Sequence, residues 1–200
     1  MTTSLGMALK SRYKSLLAAV AVCISLLAVP ASSSAIVRGI LPNCVIAHAA
    51  ASALPREAPT VRLGRAAVCL LNRARVKRGM HRLRINPRLS RAARRHTRDM
   101  VRHRYFSHTS PRGGEMTERI KRTGYLGPAR GWSIGENIAW GASYMGSPRA
   151  IVRAWMRSPG HRDNILNPAF REMGIGVVAA APSRTGMPSA TYTTNFGYRH

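Results

Sequence analysis

The chain reads as an α+β or layered α/β/α domain in which helices cover at least one face of a small antiparallel sheet. Three observations predict this. Helical periods fill the stretch from residue 61 to residue 166, and short β-branched and aromatic runs close the chain at 173–179 and 190–198. A length of 200 residues, 45% hydrophobic and 20% charged, is enough for one ordinary domain with its own core. A disordered, fibrous or large multidomain protein is thereby excluded.

The first helix begins near Val61, where Leu63, Ala67, Leu70, Leu71 and Ala74 share one side of a 3.6-residue repeat and arginines take the other. Gly79 ends it. Asn86 followed by Pro87 supplies a cap and a first-turn residue for a second helix, whose inward stripe is Leu89, Ala92, Ala93, His96 and Met100. His96 is read as a packing residue. The turn formers of 106–113 bend the chain and open a short helix over 114–123, which Gly124 ends. A brief mixed segment, 135–140, precedes a helix capped by Ser147 and Pro148 that buries Ile151, Val152, Trp155 and Met156. Ser158-Pro159-Gly160-His161 interrupts it before a helical turn through Leu166. The last two runs, separated by Pro182, Ser183, Gly186 and Pro188, fit an antiparallel hairpin.

Ahead of this domain stand two other segments. Residues 1–35 have the parts of a secretory signal peptide in order: Lys10, Arg12 and Lys14, an apolar run over 16–29, then small residues ending at Ser33-Ser34-Ala35. The run is shorter than the roughly 20 residues that span a bilayer, so export without a permanent membrane span is expected. Ala47-His48-Ala49 offers a second cut. Residues 36–60, alanine-rich and broken by Gly39, Pro42, Pro55 and Pro59, read as an arm or linker before a domain over 61–198. Cleavage after Ala35 discards Cys23 and leaves Cys44 and Cys69, an even pair where disulfides persist. A Cys44–Cys69 bridge is expected, contributing ~2–4 kcal/mol by pinning the arm.

Lysine and arginine number 32 against 7 acidic residues, a net charge of +25. The leader contributes only three of the basic residues, so the charge belongs to the exported protein and favours anionic envelope polymers or lipid headgroups as neighbours. No winged helix, zinc finger or RNP motif accompanies it, so specific nucleic-acid recognition is not expected. No Rossmann fingerprint, P-loop, metal-binding cysteine pair or heptad occurs either.

Three motifs, in order, carry a resemblance. Phe106-Ser107-His108, Gly135-Glu136-Asn137-Ile138-Ala139 and the run from Ser158-Pro159-Gly160-His161 through Arg162-Asp163-Asn164-Ile165-Leu166 together resemble the cysteine-rich secretory, antigen 5 and pathogenesis-related superfamily, called CAP or SCP, in its compact bacterial branch. The resemblance spans nearly all of 61–198. It implies an α-β-α sandwich, a secreted or envelope-associated location, and a cavity of two histidines and two acids. By motif these are His108, Glu136 and His161. The second acid commonly follows the helix tryptophan by three residues, where this chain has Ser158 after Trp155.

Two imidazoles and one carboxylate with a water would give zinc four ligands, so zinc bound by His108, Glu136 and His161 is one expectation. A metal-assisted hydrolase follows from it. The plainer expectation is a hydrogen-bonded network joining two parts of the domain, in a non-enzymatic binding or structural module. No catalytic nucleophile stands out: Ser107 and Ser158 lie in no G-x-S-x-G elbow, and Ser158 suits a helix cap. The ligand and the oligomeric state are left open.

Overall fold

A computed structural model describes residues 49–200. The segment expected to act as a signal peptide, Cys23 and Cys44 lie outside the described residues. Helix α1 (Thr60–Val76) is followed by a two-residue strand β1 (Arg84–Ile85) and by α2 (Pro87–His103). Asn86 caps α2 as expected, its side chain accepting from the Arg88 and Leu89 amides. Then come α3 (Met116–Lys121), the long strand β2 (Trp132–Ala142), a 3₁₀ turn, α4 (Pro148–Arg157) and α5 (Pro159–Leu166). The chain closes with β3 (Glu172–Val178) and β4 (Ser189–Arg199).

The four strands form one sheet in the order β1-β3-β4-β2. β4 lies antiparallel to both β2 and β3, giving the expected terminal hairpin, while β1 joins β3 in parallel and makes the small sheet mixed. Along β4 the side chains alternate between two layers. Ala190, Tyr192 and Phe196 enter a core with Leu63 and Leu71 of α1, Ile151 and Trp155 of α4, and Ile165 of α5. Thr193 turns the other way and accepts from Thr97 of α2 at 2.9 Å. On that side Leu89 and Ala92 of α2 pack with Ile120 and Tyr125. The α-β-α layering is thus produced by the two-residue period of the sheet meeting apolar helix stripes.

Gly174 and Gly176 of β3 let α2 rest on the sheet backbone. A Cβ at Gly174 would collide with the Ser90 amide nitrogen, and one at Gly176 would stand 2.5 Å from that of Arg94. On the opposite layer, Arg75 departs from the outward arginine pattern of α1. It is fully buried and donates to the carbonyls of Ile165 at 2.7 Å, Asn167 at 2.9 Å and His81 at 2.9 Å, tying α1 to the end of α5.

The expected disulfide is corrected here. Cys69 is the only cysteine among the described residues, so no Cys–Cys pair lies within them. Cys69 is not a free thiol. No helix among the described residues is long and apolar enough to cross a membrane.

Candidate functional site

Glu136 sits in the middle of β2, opposite Asn195 of β4, and its side chain is 2% exposed. Such burial would push a carboxyl toward its neutral form. Three donors oppose that. His108 Nδ1 lies 2.9 Å from Oε1, and Arg119 Nη2 reaches Oε1 at 2.9 Å and Oε2 at 3.0 Å. Asn195, with its amide turned to satisfy both ends, donates to Oε2 at 2.9 Å and accepts from the Ala93 amide at 3.2 Å. Burial raises the Glu136 pKa, but the His108 hydrogen bond and the Arg119 charge outweigh it and hold the group below its ordinary 4.5. The carboxylate is therefore charged and its oxygens are engaged.

The partners come from different elements, which is why sequence spacing alone does not reveal the whole set. His108 hangs from the loop after α2 with 53% of its side chain exposed, so it forms the mouth over a buried acid. Arg119, from α3, is nearly buried and is braced by donating to the Gly114 carbonyl at 2.8 Å. His96 of α2 is fully buried and lies 3.8 Å from Glu136 Oε1. Its Nε2 approaches the Ser107 carbonyl at 3.0 Å, which places a proton on that nitrogen and fixes the loop that carries His108. Burial lowers His96 below 6.5 despite the pull of Glu136. The residue read as packing is thus also a polar member of this network; its place on the inward stripe of α2, four residues after Ala92, was the available signal.

His161 enters from α5. Its Nδ1 lies 2.8 Å from Ser158 Oγ, and its carbonyl accepts from Asn137 Nδ2 at 2.9 Å. Asn164 fastens α5 to β2, donating to the Glu136 carbonyl at 3.3 Å and to Asn137 Oδ1 at 2.9 Å. Ser158 occupies the helix-cap position, but its side chain makes no capping bond and turns to His161 instead. Burial lowers the His161 pKa, and the charge of His108 lowers it further, so the two imidazoles share one electrostatic neighbourhood. The loop before α3, strand β2 and α5 therefore bring His108, Glu136, Ser158 and His161 to a common region as two hydrogen-bonded pairs. His108 belongs to Glu136 and His161 to Ser158. A continuous Ser-His-Glu relay is not assembled.

The same geometry overturns the zinc expectation. Among the described residues no three His, Cys, Asp or Glu side chains are grouped so as to hold a metal ion. Arg119 supplies a positive charge to both Glu136 oxygens, where a cation site needs uncompensated negative charge, and His161 Nδ1 is turned to Ser158. The donor set does not fit zinc. The metal-assisted hydrolase loses its reactive water with it.

Comparison with known proteins matches the same stretch. Residues 68–196 match the model of the cysteine-rich secretory protein family, CAP. The chain is 41% identical over 109 residues to the uncharacterized protein YkwD of Bacillus subtilis, covering 54% of this chain and 40% of that protein. It is 35% identical over 108 residues to the uncharacterized membrane protein YlbC of the same organism, covering 54% of this chain and 29% of the relative. The chain thus spans less than half the length of either. Among solved structures, an extracellular SCP-domain protein of Bacillus anthracis superposes with a TM-score of 0.56 at 27% identity, covering 70% of this chain and 43% of that one. An outer surface protein of Borrelia burgdorferi gives 0.56 at 20% identity over 68% of this chain and 91% of its own, a likeness of fold alone.

Proposed function

Because the chain belongs to the cysteine-rich secretory protein family, matched over 68–196, we propose that it is a non-enzymatic binding or structural module. Its ligand meets the polar region formed by His108, Ser158 and His161 over the buried Glu136. The protein is secreted or associated with the cell envelope, in keeping with its leader-like first segment and with relatives described as an extracellular protein and a membrane protein.

The observation that carries this reading is the commitment of Glu136. A general base needs a carboxylate or imidazole with a free lone pair near a reacting proton. Glu136 instead accepts from His108, Arg119 and Asn195, which makes it the fastening point of a loop, a helix and two strands. Ser158 has a histidine beside it, but among the described residues no carboxylate orients that histidine. His108, Ser158 and His161 offer polar groups to a ligand without an activated nucleophile beside them.

Equilibrium binding of the exported protein to isolated cell envelopes tests this. Saturable binding is expected, weakened about tenfold in His161→Ala by the loss of a hydrogen-bonding group, with the thermal midpoint retained and no envelope component consumed. Turnover of an envelope component, abolished in a folded His161→Ala protein, would contradict the reading and favour a metal-independent acid/base enzyme.

A further inference from the structure

Arg119 also borders a cleft of about 490 Å³ formed by α2, the loop at 110–114 and α3. Its walls carry Arg95, Arg112, Arg119, Arg122 and His103, and the only carboxylate among its lining residues is Asp99. Asp99 is already engaged. It accepts from the Tyr105 hydroxyl and lies 2.9 Å from His103 Nδ1. Arg119 is balanced by Glu136. Among the described residues the side chains of Arg95, Arg112 and Arg122 form no ion pair, so three guanidinium charges border one concavity without a counter-charge of their own.

Like charges gathered at a cleft repel one another, and low-dielectric walls concentrate their field. The cleft therefore favours an anion more strongly than scattered surface arginines would. A second observation points the same way: Arg119 Nε is buried with no hydrogen-bond partner. A buried donor left unmade costs free energy, and an incoming oxygen would satisfy it. Planar guanidinium forks match the oxygens of a phosphate in pairs. A carboxylate offers two oxygens and one charge; a phosphate ester offers more acceptors and up to two charges, closer to what three uncompensated arginines demand. The volume falls in the range of small-molecule sites.

We propose that this cleft binds a phosphate ester group, either as a free ester or as a phospholipid headgroup. The proposal goes beyond the binding-module reading. His108, Ser158 and His161 take no part in it, so His161→Ala leaves phosphate binding intact, and failure of either idea is recognised separately.

The test uses the exported protein with three probes: glycerol phosphate, inorganic phosphate, and phosphatidylglycerol vesicles set against phosphatidylcholine vesicles. One variant combines Arg95→Gln, Arg112→Gln and Arg122→Gln. A second, removing the same charge from exposed positions of α1 and α4, combines Arg62→Gln, Arg65→Gln and Arg153→Gln. Exposed glutamines leave both proteins folded, as the thermal midpoint will report. The cleft variant should bind phosphate at least about tenfold more weakly, while the control stays within about twofold. Glycerol phosphate bound as tightly as the vesicles identifies a free ester; a preference for phosphatidylglycerol vesicles, lost in the cleft variant, identifies a headgroup. Equal weakening in both variants would reduce the cleft to general charge attraction and overturn the proposal, as would no binding of any of the three probes.

Discussion

A carboxylate as buried as Glu136 would ordinarily take up a proton as its hydration is stripped away. The His108 hydrogen bond reverses that outcome together with Arg119, which meets both oxygens at 2.9 Å and 3.0 Å. Removing one member of a buried pair leaves the other charge uncompensated, which costs far more than the intact pair contributes. Arg119→Met should therefore lower stability by about 3–5 kcal/mol, read from the urea midpoint. Adding Glu136→Gln to it should restore part of the loss. If Arg119→Met costs no more than an exposed arginine substitution, Arg119 is not what keeps Glu136 charged. Residue by residue, the motif members His108, Glu136 and His161 were legible because their neighbours in sequence are distinctive. Arg119, Asn195 and His96 were not, since each reaches Glu136 only through the folded packing of α3, β4 and α2. Ser158 suits a helix cap by sequence, and its turn toward His161 instead depends on how close that ring comes.

Among the elements, α2 shows what sequence can give. Asn86, Pro87 and the apolar stripe specify its start and its buried face, and both are observed. β2 shows what it withholds. Gly135, Glu136, Asn137 and Gly141 are poor strand formers, so an eleven-residue strand was read only as a short mixed segment. Its extended form is set by antiparallel pairing along β4, a long-range term that local propensity does not contain. The seating of α2 on β3 gives a prediction at this scale. Gly174→Ala would drive a methyl group into the Ser90 amide, and backbone on both sides leaves little to yield. A loss of about 1–3 kcal/mol is expected, with reduced hydrogen-exchange protection in α2. Unchanged stability would show that α2 rides more loosely on the sheet than this contact implies.

For the whole molecule, acid acts on groups whose protonation the fold controls. His96 and His161 are lowered from 6.5, chiefly by burial, and Glu136 is lowered from 4.5 by His108 and Arg119 against its own burial. Unfolding returns each group to its ordinary value. Between that value and the lowered one, the unfolded chain holds a proton that the folded chain refuses, so stability falls as pH falls. The stabilisation is complete above 6.5, declines as pH drops through the lowered histidine values, and declines again below 4.5 as Glu136 takes its proton. Urea midpoints across this range should show both stages, with the upper one reduced in His96→Gln. A midpoint that holds steady or rises as the solution is taken from neutrality into mild acid would contradict the assignment. The net charge of +25 works in the same direction, since protonating histidines adds to existing repulsion.

Nitrogen-15 NMR of the imidazole rings reports most directly whether the two histidines belong to separate partners. Glu136→Gln should move the ring-nitrogen signals of His108 and leave those of His161 nearly in place, while Ser158→Ala should do the reverse. A His161 ring that shifts with Glu136→Gln as far as His108 does would mean that one carboxylate serves both imidazoles, and the reading of a binding module without a catalytic relay would fall.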